Sequence, residues 1–164
     1  NAFRVKINGI DFGGGLKLLF TEEVRLYNSN FSGKCGILMG MGANNFIMQN
    51  LSSNCDGPAI VMDASHIPYD YVVGKEPDIH DIILQDSSFG ASSPAVLLNS
   101  TVDARIYNIQ IDHISADGTV LSLGKKDNEV PPECYFNLTA ENLTSKQGDK
   151  IILNAPTKNC FFNV

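Results

Sequence analysis

The feature that most constrains this chain is self-similarity. Short apolar runs beginning at Leu16, Ile37, Ile60, Val96, Val120 and Ile151 recur about every 22 residues, with two intervals lengthened by insertions. Each run is β-branched or Leu-rich and is bounded by Gly, Asn, Asp, Ser or Pro, which is strand chemistry. No window sustains a helical period with caps, so helix is expected to be scarce. The unit is clearest from Ala95 to Gly118: a strand at Val96 to Leu98, an Asn-containing turn, a second strand at Ala104 to Asn108, a third apolar piece at Ile109 to Ile114, and a closing Asp-Gly. A unit this short buries its apolar face only against its neighbours, so the expectation is one all-β solenoid domain over residues 1–164, with about six turns.

A second alignment supports the first. Leu26-Tyr27-Asn28, Met48-Gln49-Asn50, Leu84-Gln85-Asp86, Ile106-Tyr107-Asn108 and Ala140-Glu141-Asn142 match as an inward apolar residue, an outward residue and then Asx. Asx tolerates the left-handed backbone of a sharp bend, and stacked amides bond along a ladder, here expected to face inward. Asp63, Asn99 and Asn154 form a further series after the other strand.

With these repeats and Asx ladders, nearly the whole chain resembles the right-handed parallel β-helix superfamily that contains pectate and pectin lyases, polygalacturonases and phage tailspikes. The resemblance implies a right-handed parallel β-helix and, as partner, an extended, anionic polysaccharide. It carries no catalytic residue across: the Asn-Thr-Asp, Asp-Asp, Gly-His-Gly and Arg-Ile-Lys motifs of polygalacturonases and the Arg-x-Pro-x-x-Arg of pectate lyases do not occur.

With 12 Lys and Arg against 18 Asp and Glu, the net charge of −6 lacks the basic footprint of a general nucleic-acid binder. No apolar run approaches membrane-spanning length. A chain that opens on Asn1 and stops on Phe161-Phe162-Asn163-Val164 is expected to belong to something larger, its open ends covered by flanking domains or by partners in a homotrimer. Sequons at Asn30, Asn50, Asn99, Asn137 and Asn142 fit an extracellular protein, secreted or on a virion surface. Cys134 and Cys160, in the similar stretches Glu133 to Asn137 and Asn159 to Asn163, are expected to stack on successive turns, as a disulfide or as buried thiols. Cys35 and Cys55 are expected to lie close enough to bridge.

Two insertions, Ser65 to Asp78 and Lys125 to Glu133, leave at one corner and are expected to wall a groove floored by the strand from Ala104. Alternation puts Ala104, Ile106 and Asn108 inward, and Arg105 and Tyr107 outward. The outward columns then read Lys6, Arg25, Ile47, Ile83, Arg105, Thr139 and Asn8, Tyr27, Gln49, Gln85, Tyr107, Glu141. Planar rings, amides and guanidinium groups suit sugars, so Arg25, Tyr27, Gln49, Gln85, Arg105, Tyr107 and Glu141, with Tyr69 and Tyr71 on the wall, are the candidate binding residues. The same strip also reads as an ordinary solvated sheet face. Asp81 and Asp103, at matching positions on the groove edge, are the candidate catalytic pair for glycoside hydrolysis or elimination. His66, His80 and His113 lack zinc spacing. Asp70, Glu76 and Asp78 offer oxygen ligands without the usual calcium loop, so no cofactor is expected and calcium is the one metal kept in view. The competing function is a non-catalytic structural module of a phage tail spike, fibre or surface adhesin.

Overall fold

A computed structural model describes residues 2–34, 36–64, 77–90, 94–101, 103–124 and 130–164. Among these residues the chain is all-β with long parallel sheets, and its only helical piece is a 3-10 turn at Pro132–Cys134. Pairing falls into three columns. In the first, the strands Ala2–Asn8, Thr21–Tyr27, Asn44–Gln49, Ile79–Phe89, Ile106–Ala116, Tyr135–Glu141 and Phe161–Asn163 lie side by side in that order. The second joins Asp11–Phe12, Asn30–Gly33 and Ser52–Cys55 to the far halves of the two long strands and to Thr144–Ser145. The third is a separate sheet of Leu16–Leu18, Ile37–Met39, Ile60–Asp63, Val96–Asn99, Leu121–Leu123 and Ile151–Leu153.

The expected anchors Leu16, Ile37, Ile60, Val96 and Ile151 stand in register in the third column, with Leu121 rather than Val120 completing the row. Val120 and Leu121 are both buried, so apolar character does not choose between them. The expected second and third strands of the Ala95 unit are one strand, Ile106–Ala116.

Inward rows build the core. Val24, Phe46, Ile82 and Ile109 form one; Leu26, Met48, Leu84 and Ile111 form the next; Met39, Met62, Leu98 and Leu123 face them from the third column. Each such side chain contributes about 1.5–3 kcal/mol on burial. In the second column the rings of Phe12 and Phe31 stack with centroids 4.7 Å apart.

Two lines of left-handed residues cross the first column. One consists of Arg4, Glu23, Asn45, Asp81, Asn108, Asn137 and Asn159, with φ between 51° and 58°. The other consists of Gly9, Asn28, Asn50, Asp86, His113 and Asn142. At each bend two consecutive side chains point out before the alternation resumes, as in the half-buried Tyr27, exposed Asn28 and buried Ser29. The Asx ladder therefore faces solvent, not the interior, and Asn28, Asn50, Asp86, Asn108 and Asn142 are all exposed. Strict alternation puts Asn108 inward, but the bend shifts its phase by one residue.

The cysteine pairing is also corrected. Phe136 lies beside Lys158 and Thr139 beside Phe161, which sets Cys160 next to Leu138 and away from Cys134. Both are free thiols: Cys134 Sγ sits 3.1 Å from the Thr101 carbonyl, and Cys160 Sγ 3.3 Å from that of Lys158. Cys55 is buried, and its expected partner Cys35 lies outside the described residues.

Replacing Asn50 by Val should destabilise the fold by about 1–2 kcal/mol, because a β-branched residue resists a left-handed backbone, whereas Asn50→Gly should cost less. Gly36→Ala should be worse than either, since its Cβ would collide with the Ala59 carbonyl oxygen, an oxygen that already accepts the Ile37 amide. Urea unfolding of the three variants checks the order.

Candidate functional site

The first line of bends places a row of polar side chains on the outer surface, one per strand. Asn137 Nδ2 donates to Asn108 Oδ1 at 3.2 Å, and Asn108 Nδ2 donates to Asp81 Oδ1 at 3.0 Å. His80 Nδ1 meets Asp81 Oδ2 at 2.7 Å. Toward the earlier repeats Arg25 binds the carbonyl and side-chain oxygens of Asn45, at 2.8 and 3.3 Å, and Arg4 pairs with Glu23 at 3.0 Å. Partial burial raises the Asp81 pKa, but hydrogen bonds from His80 and Asn108 and the His80 charge outweigh it and hold the carboxyl below its ordinary value. Asp81 thus stays ionised at neutral pH.

Along this row runs a groove of about 370 Å³. Its lining is two parallel lines of side chains: Asn45, Asp81, Asn108 and Asn137 at the bend, then Ile47, Ile83, Gln110 and Thr139 two residues further along each strand. Strands about 4.8 Å apart space these groups regularly, so the groove crosses the strands instead of following one. On the other side of the bend, His80, Tyr107 and Phe136 form a continuous ring stack, with centroids 4.8 and 4.7 Å apart and planes within 10° and 6°. Each ring precedes a ladder residue, so the dipeptides His80-Asp81, Tyr107-Asn108 and Phe136-Asn137 were the sequence signal for this element. With His80 on one side and Phe136 on the other, both faces of the Tyr107 ring are covered.

The candidate residues divide accordingly. Tyr27, Gln49, Gln85 and Glu141 do share one outward row, but its fifth member is Asp112 in place of Tyr107. Arg25 shares its row with Ile47, Ile83, Gln110 and Thr139, with Gln110 in place of Arg105. The shift is five residues, the separation of the two bends. Ile106-Tyr107-Asn108 imitates Leu26-Tyr27-Asn28, while the true equivalent is Ile111-Asp112-His113. Asp81 lies in the groove beside Asn108, whereas Asp103 is an exposed turn residue ahead of the strand, so the two do not occupy matching positions. Tyr69 and Tyr71, with His66, Asp70, Lys75, Glu76, Lys125, Asp127 and Glu129 of the expected walls, lie outside the described residues.

Arg105 has a different partner. Asp78 is 3% exposed and accepts three bonds from it, from the backbone amide and Nε at 2.8 Å each and from a terminal guanidinium nitrogen at 2.6 Å. A buried carboxylate needs such compensation, and both Asp78 oxygens are engaged by it. Nearby, the Tyr135 hydroxyl accepts the Ser100 amide at 2.7 Å, and Ser100 Oγ donates to the Ala104 carbonyl at 2.7 Å. These bonds fix where Ile79, Ile106 and Tyr135 begin the first column, and hence where the groove residues fall. No family model, curated protein or solved structure matches the chain.

Burial, partly offset by the Ser100 amide, pushes the Tyr135 hydroxyl up to about 12 from 10.0. The folded state holds the phenol proton more tightly than the unfolded chain, so this stability is complete below the ordinary tyrosine pKa and is lost as pH rises through the folded value. Denaturant titrations between about pH 9 and pH 12 should show that loss, and Tyr135→Phe should flatten this part of the profile.

Proposed function

We propose that the chain is a right-handed parallel β-helix of about six turns whose outer groove binds an extended polysaccharide without cleaving it. The carrying observation is the direction of the groove, which runs across successive strands and offers a polar side chain at each. An extended chain of hydroxyl-bearing rings meets such a surface repeat after repeat, and each contact adds to the last. Ile47 and Ile83, both half-buried, supply apolar patches for the carbon faces of the rings. Gln110, Thr139 and the ladder amides supply donors and acceptors.

Binding without cleavage fits the chemistry better than hydrolysis or elimination. Both glycosidase geometries use two carboxyl groups flanking one bond, and Asp81 is the only carboxylate lining the groove among the described residues. Arg105, the candidate for neutralising a substrate carboxylate, is engaged by Asp78. An extracellular setting suits such a ligand.

A second reading, a rigid structural module in a larger fibre or spike, draws on a separate observation. Phe3 and Ile10 on one edge of the sheets, and Leu153, Phe161 and Val164 on the other, are 44–57% exposed. Exposed apolar edge strands are sites for further pairing. Sedimentation across a concentration series separates the two readings, since an obligate assembly role requires self-association.

Calorimetry with a panel of soluble oligosaccharides tests the groove directly. Gln110→Ala and Asn108→Ala should each weaken binding about fivefold, the worth of roughly one net hydrogen bond. Arg105→Ala should lower stability and leave affinity unchanged. Wild-type affinity in the Gln110 variant would remove the groove from consideration.

A further inference from the structure

The groove's own hydrogen-bonding arithmetic selects among polysaccharides. A side-chain amide has two N–H donors and an oxygen with two lone pairs. Asn108 spends one donor on Asp81 and one lone pair on Asn137, so one of each remains for a ligand. Gln110, exposed on the wall, offers the same pairing. A hydroxyl group donates and accepts at once and satisfies both. A carboxylate only accepts.

Midway along the groove stands Asp81, itself an acceptor at both oxygens, toward Asn108 and His80. A ligand group beside it has to donate. Among the described residues lining the groove none is a cation: His80, which meets Asp81 at 2.7 Å, and Arg25, which is bound to the carbonyls of Val24 and Asn45, both stand outside the lining. On the same outer face Asp112 and Glu141 stand in the neighbouring row, and hydrogen bonding from Asn142, opposed by slight burial and aided by His113, holds the Asp112 pKa below its ordinary value. Unit charges of like sign repel by about 1 kcal/mol at 4 Å even in bulk water, and by more beside a protein surface.

We infer that the ligand is a neutral polysaccharide and that Asp81 is the residue that excludes uronate-containing chains. This rests on the polysaccharide-binding reading above and gives it a substrate class. Asp81 accepts from a ring hydroxyl in the bound state, and the amides on either side take up the hydroxyls of adjoining rings. A carboxylated ring at the same place brings a second anion against Asp81, and neither carboxylate can donate to the other.

The test compares length-matched neutral hexamers, cello-, manno- and xylo-oligosaccharides, with hexagalacturonate, by calorimetry at neutral pH and low salt. At least one neutral hexamer should bind about tenfold or more tightly than hexagalacturonate. Asp81→Asn keeps a left-handed Asx residue and should narrow that gap by improving the uronate. Gln110→Glu, which adds a charge to the wall, should widen it. Added salt should narrow the gap for the wild-type protein. Hexagalacturonate binding as tightly as the neutral series, or a gap indifferent to both substitutions, would overturn the inference while leaving polysaccharide binding intact. Failure of every hexamer and of the parent polymers to bind would overturn the polysaccharide reading itself.

Discussion

The structure depends on a backbone conformation that most residues avoid. Twice in each crossing of the first column, and once at the last, the chain takes up a left-handed residue, at a cost of about 1–2 kcal/mol for an ordinary side chain. Among residues with a side chain the cost is smallest for Asn or Asp, as at Asn45, Asp81, Asn108 and Asn137. Because neighbouring strands pair in parallel register, a bend in one strand has to coincide with bends in the strands beside it. A strand that missed its bend by one residue would turn its apolar side chains outward. Register, core and outer surface are therefore one decision made at the bends.

That coupling narrows what the outer surface can be made of. The side chains that tolerate the bend are those that line the groove, so the groove inherits short amides and carboxylates in place of the long cations and aromatic faces common in ligand sites. The aromatic residues stand one position earlier, where in-register pairing stacks His80, Tyr107 and Phe136 on each other. The guanidinium of Arg105 is likewise engaged by the buried Asp78, at the corner where the chain returns to the first column. Groups that look available in the sequence are held by the fold, and groups that look like mere bend formers face the solvent.

The columns were legible because each repeat brings the same apolar run back to the same place, from Leu16 through Ile151. The slip at the Ala95 unit has a local cause. Both bends carry the pattern of an apolar residue, an outward residue and a left-handed one, five residues apart, so Ile106-Tyr107-Asn108 fits either. The correct partner, His113, is not Asx, and its place is fixed by pairing with the neighbouring strands, which the local sequence does not contain. The same limit explains Cys134 and Cys160: matching flanks suggested a shared level, but the 3-10 turn at Pro132–Cys134 sets one of them outside the sheet. Asp78 gave no sequence sign of burial, because its partner is a residue 27 positions away. What pattern alone delivered was the all-β, parallel arrangement; what it missed was phase.

The ladders also have a sense of direction. Asn28 donates to Asn8, Asn50 to Asn28, Asn99 to Asp63, Asn108 to Asp81, Asn137 to Asn108 and Asn142 to Asp112, each toward the preceding repeat, while Gln49 donates forward to Asp86. Along Asn28 and Asn108 the N–H end of the amide faces one way and the carbonyl end the other, so the dipoles add instead of cancelling. The surface is a polarised track. A linear molecule laid along such a track would not be equivalent to the same molecule reversed.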